Sequence, residues 1–408
     1  MTSASSKDKK SYVNVTPVPT QSAPKEIRYD FNLGARVMLP KREKGLWKVT
    51  LQDLDTGNIL FQGQVAGGTV SSSKRFYVNF KITVEEIENN VTRHLFNHQL
   101  DLKDKKVVIQ CPVGTIGDTF AWLPYAIEFK KKHSCKLHCI IDEKFIDLLK
   151  RSYPEINFTT MKKAEENNIF SDSYACYYFG LFFKDEQNLY QPCDFRLVGL
   201  HKTAAYILGL STEKDEKLTL RLPDESRPIK EKYVCIAVQA SSQCKYWNNP
   251  KGWELVVDYL KSQNYRVICI DQNTISGHGI IFNSIPYNAE NETGNRPLSE
   301  RARWLKHAEF FVGLSSGLSW MAWTMNIPVV MISGFTHPMN EFYTPYRIIN
   351  WHVCNSCWND MKYEFEHDNY TWCPRHRDTP RHYECTKSIT STFVIQVIQK
   401  LISNINKE

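Results

Sequence analysis

One carboxylate, two lysines and four cysteines stand where residue type and spacing suggest chemistry. The carboxylate is Asp118, in "CPVGTIGDTF". Gly114 and Gly117 let the chain turn sharply there and let a substrate approach the backbone. Asp118 falls at or near a helix start, where a carboxylate can cap free N–H groups or serve as a general base. The pattern is not a dinucleotide fingerprint, because G-x-G-x-x-G is absent. The lysines are Lys245 and Lys251, in "QASSQCKYWNNPKGW" from Gln239 to Trp253. An ammonium on such a loop can neutralise a departing diphosphate. In "GLSSGLSWMAW", Ser315, Ser316 and Gly317 precede an apolar helix whose first amides form a phosphate seat. A fourth loop, "GFTHPMNEF", follows the apolar run "PVVMIS".

The cysteines are Cys354, Cys357, Cys373 and Cys385. A C-x2-C pair with two further cysteines within reach is metal-ligand spacing. Cys373 and His376 repeat that spacing, so His376 is an alternative to Cys385 as fourth ligand. Four thiolates suit zinc or iron, and ligand chemistry alone favours zinc as the commoner closed site. With no open position such a metal is structural, stapling a stretch with few apolar residues of its own.

Positioning these loops requires an α/β frame. "KKVVIQ", "KLHCIIDE", "YVCIAVQA", "YRVICIDQ", "FFVGLSS" and "PVVMIS" are short apolar runs alternating with helix candidates, as in parallel sheets with crossover helices. Each informative loop follows a strand, where ligands bind in such folds. The expected organisation is a disordered leader over 1–26 and a small antiparallel, barrel-like β module over 27–98 that serves docking or oligomerisation. Two Rossmann-like domains follow, an acceptor side over 99–225 and a donor side over 226–408 that includes the 354–385 cysteine insertion. Pro124 should kink its helix or shift the start. A carboxylate on one domain and phosphate-binding features on the other match a glycosyltransferase that uses a nucleotide-sugar.

Composition excludes several other classes. The 408 residues are 42% hydrophobic and 23% charged with net charge +7, and no block of five or more like charges and no basic stripe interleaved with aromatics marks a nucleic-acid partner. The first residues lack the apolar core of a secretory signal, and no run approaches the ~18–20 apolar residues of a membrane helix. A cytoplasmic chain is expected, with its cysteines as free thiols or metal ligands.

"GDTFAWLP" resembles the GD…LP signature of the lipopolysaccharide heptosyltransferases, which carries the same proline. "CKYWNNPKGWELVV" resembles their K-x-W…W element, and "GLSSGLSW…IPVVMISGFTHP" their D-T-G-L-S-H…P…G-x-T-x-P run. The β module and cysteine cluster narrow the resemblance, over nearly all of 27–408, to the bacterial autotransporter heptosyltransferases, which modify hydroxyl side chains of secreted adhesins. That resemblance implies a GT-B fold and inverting transfer of heptose from ADP-heptose to serine hydroxyls of an autotransporter passenger. Asp118 would be the general base and Lys245 the contact to the donor phosphates. Thr115, Ile116 and Gly117 would line the sugar, and Gln239, Ser316, Gly317 and Leu318 would complete the substrate-binding set. The resemblance also implies iron held by the four cysteines, and a ring of twelve. Ser315 and Trp320 stand where the lipopolysaccharide enzymes have aspartate and histidine, so the heptose hydroxyls must be recognised differently. The alternatives are a lipopolysaccharide sugar as acceptor, or a nucleotide-binding scaffold without turnover.

Overall fold

The computed structural model describes residues 15–112 and 114–407. Its first domain is built on the strands Lys106–Gln110, Lys136–Ile140, Asn157–Thr159 and Ala175–Tyr178. All pair in parallel, with Lys106–Gln110 between Lys136–Ile140 and Ala175–Tyr178. Val107, Val108 and Ile109 are fully buried, which is why this strand reads as a continuous apolar run rather than an alternating one.

The N-terminal strands are antiparallel among themselves, as their glycine turns suggest, but they are shared between two sheets. Leu46–Asp53, Ile59–Val65, Phe80–Glu88 and Val91–Gln99 form a four-stranded antiparallel sheet. Arg28–Asn32, Arg36–Leu39 and Gly68–Ser71 instead extend the first domain's sheet. Arg28–Asn32 runs parallel to Ala175–Tyr178, so Ala175 lies between Phe31 and Val107. A buried ion pair accompanies the join: Asp30, fully buried, accepts from Arg36 at 2.6 Å and from Asn32 at 2.7 Å. Residues 1–14 of the expected leader lie outside the described residues. Residues 15–26 are structured, with Gln21–Ser22 paired to Arg28–Tyr29 and the Thr20 hydroxyl donating to the Ser173 carbonyl at 2.7 Å.

The second domain is an all-parallel sheet in the order Glu290–Asn291, Arg266–Cys269, Tyr233–Ile236, Phe311–Leu314, Val329–Ile332, Arg347–Ile348. Strand order reverses between Tyr233–Ile236 and Phe311–Leu314, and the loops after those two strands carry Gln239–Lys245 and Ser315–Gly317. This is the switch point where open α/β sheets bind ligands. The C-terminal helix Ser391–Ile405 buries Val394, Ile398 and Leu401 against this domain, beside Val256, Val257 and Leu260. One apolar core runs between the domains, joining Phe120, Trp122 and Leu123 to Trp320, Met321 and Phe342. Among the described residues no helix is long and apolar enough to cross a membrane.

Candidate functional site

The loop after Lys106–Gln110 leads into the helix Ile116–His133. Its N-cap is Thr115, not Asp118. The Asp118 N–H donates to Thr115 Oγ1 at 3.2 Å, and the Thr115 hydroxyl donates to Asp118 Oδ2 at 2.6 Å. The carboxylate therefore sits within the first turn of the helix rather than being spent on capping. The helix runs on both sides of Pro124, the residue expected to kink it or shift its start, and starts at Ile116, eight residues before the proline. Proline removes a hydrogen bond to the Phe120 carbonyl, and the burial of Thr119–Ile127 supplies the packing that keeps the turn helical. Upstream, the Lys144 ammonium donates to the Gly114 carbonyl, and a Cβ at Gly114 would lie 2.5 Å from Asp142 Oδ2. Burial pushes the Asp118 carboxyl above its usual range. The Thr115 hydroxyl, then Lys245, then His367 pull it back.

Lys245 ends the short 3₁₀ turn Gln243–Lys245 and is partly buried, whereas Lys251 is exposed at the start of the helix Gly252–Ser262. The Lys245 charge draws the Asp118 carboxyl down. Gly252 allows close packing of Trp247, since a Cβ there would meet the indole ring at 2.5 Å. Gln239 is tied down from behind. Its N–H and that of Val238 donate to Asp271 at 3.3 and 2.7 Å, and its side-chain amide donates to the Asn273 carbonyl at 2.7 Å. Asp271 is buried, which pushes its carboxyl up to about 6.

The third loop brings the helix Gly317–Thr324 against the first domain, with Ser316 as its N-cap and Leu318 buried. A Cβ on Gly317 would sit 2.6 Å from Ile116 Cβ and 2.8 Å from Gly117 N. Two helix N-termini thus meet, with Thr115–Asp118 on one and Ser316–Leu318 on the other. Gly317→Ala is expected to force them apart and lower turnover by roughly 10²-fold, the scale of a one-ångström misplacement. The check is kcat beside an unchanged melting temperature.

Ser315 and Trp320 are both buried. The Ser315 hydroxyl donates to Glu341 Oε1, and Thr336 Oγ1 donates to Ser315 at 2.9 Å. Glu341 also accepts from Asn340 at 3.2 Å and from Arg347 at 2.5 Å. A carboxylate therefore does lie beside this helix start, supplied by the fourth loop. Sequence reasoning missed it because nothing in the spacing of Ser315 and Glu341 links them.

In the cysteine segment, the tight donor group among the described residues is Cys354, His376 and Glu384, whose ligand atoms lie within 4.8 Å of one another. His376 was an alternative in the sequence; Glu384 was not foreseen. Cys357, Cys373 and Cys385 stand close by. Burial pushes Cys354 up to about 12 and Cys357 up to about 11, and neighbouring cysteine sulfurs push both the same way. A bound cation would relieve that mutual repulsion, so the donor set suits a thiolate-bound metal. The segment is pinned to the fourth loop by hydrogen bonds from Ser356 N–H to the Gly334 carbonyl and from Trp358 N–H to the Phe335 carbonyl, at 2.8 and 3.1 Å. Close approach needs the bare backbone of Gly334, where a Cβ would lie 2.5 Å from the Cys385 carbonyl oxygen.

Two family models match the chain: glycosyltransferase TibC, N-terminal domain, over residues 23–87, and glycosyltransferase family 9 (heptosyltransferase) over residues 193–370. The autotransporter heptosyltransferase Aah of Escherichia coli is 47% identical over 392 residues, which is 96% of this chain and 97% of the relative. The inactive autotransporter heptosyltransferase BimC of Burkholderia thailandensis is 38% identical, over 94% of this chain and 88% of its own. Among solved structures, the dodecameric iron-containing heptosyltransferase TibC in complex with ADP-D-β-D-heptose is 46% identical. It superposes with a TM-score of 0.89 over 96% of this chain and 99% of its own. With its two Rossmann-like domains in the GT-B arrangement, this glycosyltransferase belongs to the autotransporter heptosyltransferase family.

Proposed function

We propose that this chain transfers heptose from ADP-heptose to serine hydroxyls of an autotransporter adhesin passenger in the bacterial cytoplasm, with inversion. One observation carries the reading: the Lys245 ammonium of one domain draws down the Asp118 carboxyl of the other, whose helix start packs against the start of Gly317–Thr324. Asp118 takes the proton of the serine hydroxyl as its oxygen bonds to the anomeric carbon. The bond from that carbon to the diphosphate oxygen breaks, and its electron pair leaves with ADP. Lys245 and the amides at Ser316, Gly317 and Leu318 stabilise the charge that gathers on the diphosphate. Thr115, Ile116 and Gly117 line the sugar, and Gln239, anchored through Asp271, borders the nucleotide.

One iron ion, with zinc as the alternative, is held by Cys354, Cys357, Cys373 and Cys385, in keeping with the iron-containing relative. When bound it cross-links the segment and has no part in the transfer. The dodecameric relative supports a ring of twelve here too. Native mass spectrometry should therefore give a mass near twelve times 47.5 kDa, and a monomer at micromolar concentration would overturn that assembly.

The reaction is tested by intact-mass analysis of a passenger incubated with the protein and ADP-heptose. Mass steps of one heptose are expected. Steps appearing only on a lipopolysaccharide core would replace the acceptor. The relative named inactive makes a scaffold without turnover the second reading, and it would prevail if ADP binds tightly while no acceptor gains mass.

A further inference from the structure

Lys245 does not stand in open solvent. Its ammonium lies 5.5 Å from the ring centroid of Phe335, 5.7 Å from Trp358 and 5.9 Å from Phe365. The three rings also pack on one another, with centroids 5.2 to 5.7 Å apart and tilts of 47 to 70°. All three are buried, so the corner they make is rigid. Its direct hydrogen bond is to Ser241 Oγ, at 3.3 Å.

We propose that Phe335, Trp358 and Phe365 are positioning residues that hold the Lys245 ammonium on the donor diphosphate, which makes the cysteine segment part of the donor site. The π faces of aromatic rings attract a cation without neutralising it, as a carboxylate would. An ammonium held this way keeps its full charge for an incoming anion. A four-carbon side chain also loses much rotamer freedom when it binds, and a preformed corner lowers that cost in advance.

The backbone contacts point the same way. Both the Gln243 N–H and the Ser242 hydroxyl donate to the Tyr370 carbonyl at 3.0 Å, so the turn that carries Lys245 rests on the cysteine segment. Asn248, three residues on, donates to Thr386 Oγ1 at 2.9 Å. Cys244 packs in the same apolar cluster as Cys373, Trp358 and Phe365. Trp358 follows Cys357 directly, and Phe365 lies between Cys357 and Cys373. Folding the cysteine segment therefore builds two walls of the corner, and Phe335 on the fourth loop builds the third.

The inference rests on reading Lys245 as the diphosphate contact, and the experiment separates the two. ADP affinity is measured by calorimetry for wild type, Lys245→Ala, Phe365→Leu and the double variant. Lys245→Ala should weaken ADP roughly 30-fold. Phe365→Leu should weaken it about 5-fold when Lys245 is present and leave it unchanged when Lys245 is absent. Phe365→Tyr, which keeps the π face, should bind as wild type does. Wild-type metal content and melting temperature identify folded variants, and Phe335→Leu, outside the cysteine segment, serves if Phe365→Leu fails that check. No effect of Lys245→Ala would remove the reading beneath. A normal Lys245 effect with no loss in Phe365→Leu, or with the same loss in both backgrounds, would overturn the aromatic corner alone.

Discussion

Asp118→Asn is expected to lose about 10³-fold in kcat while binding ADP as wild type does, since a positioned general base contributes roughly 10²–10⁴-fold. Asparagine keeps the shape and still accepts from the Thr115 hydroxyl, but it cannot take a proton. The fold should not suffer. Burial raises the Asp118 carboxyl above its ordinary value, so the folded state binds that proton more tightly than the unfolded chain. The stability this contributes is fully present below the unfolded value and is lost as pH rises through the folded one. At neutral pH the charged form is the penalised one, and the amide should match or exceed the wild-type melting temperature. The pH profile offers a second measurement. Lys245 draws the Asp118 carboxyl down, so Lys245→Ala should move the acid limb of kcat/KM to higher pH. An unmoved limb, or an Asp118→Asn protein that still turns over, would place the base elsewhere.

Loss of the metal is the second large effect. Cys373→Ser should leave less than about a tenth of an equivalent of metal by elemental analysis and lower the melting temperature by roughly 5–10 °C. The physical reason is local. Trp358, Phe365 and Trp372 form a small satellite cluster with Phe335, Phe195 and one another, and without a cross-link that cluster competes poorly with chain entropy. Protease cleavage within 354–385 should rise in step. Ligand identity follows from two further variants. His376→Ala should retain one metal per chain and Cys385→Ser should lose it if four cysteines bind. The reverse result would favour the tight group of Cys354, His376 and Glu384.

The alternation of apolar strands and amphipathic helices, with glycine and serine loops after the strands, was legible because those signals are local. Periodicity and turn chemistry depend on neighbours within a few residues. Asp118, Lys245, the "SSG" helix start and the cysteine spacing could be picked out in the same way. The division of labour within "GTIGD" was not: Thr115 and Asp118 are both good caps, and only the helix start at Ile116 frees the carboxylate.

Longer-range choices belonged to the tertiary structure. Arg28–Asn32 joins a parallel sheet because its partner strand begins at Ala175, and no local pattern encodes that pairing. Glu341 reaches Ser315 only when adjacent strands bring their loops together. Phe335, Trp358 and Phe365 read in the sequence as ordinary core aromatics, and around Lys245 they become a binding surface for a cation. The sequence by itself determined which side chains could do chemistry and which loops would carry them. Which of them meet was decided by burial and hydrogen bonding between segments outside one another's local sequence, where the free energy of a contact depends on the whole packed chain.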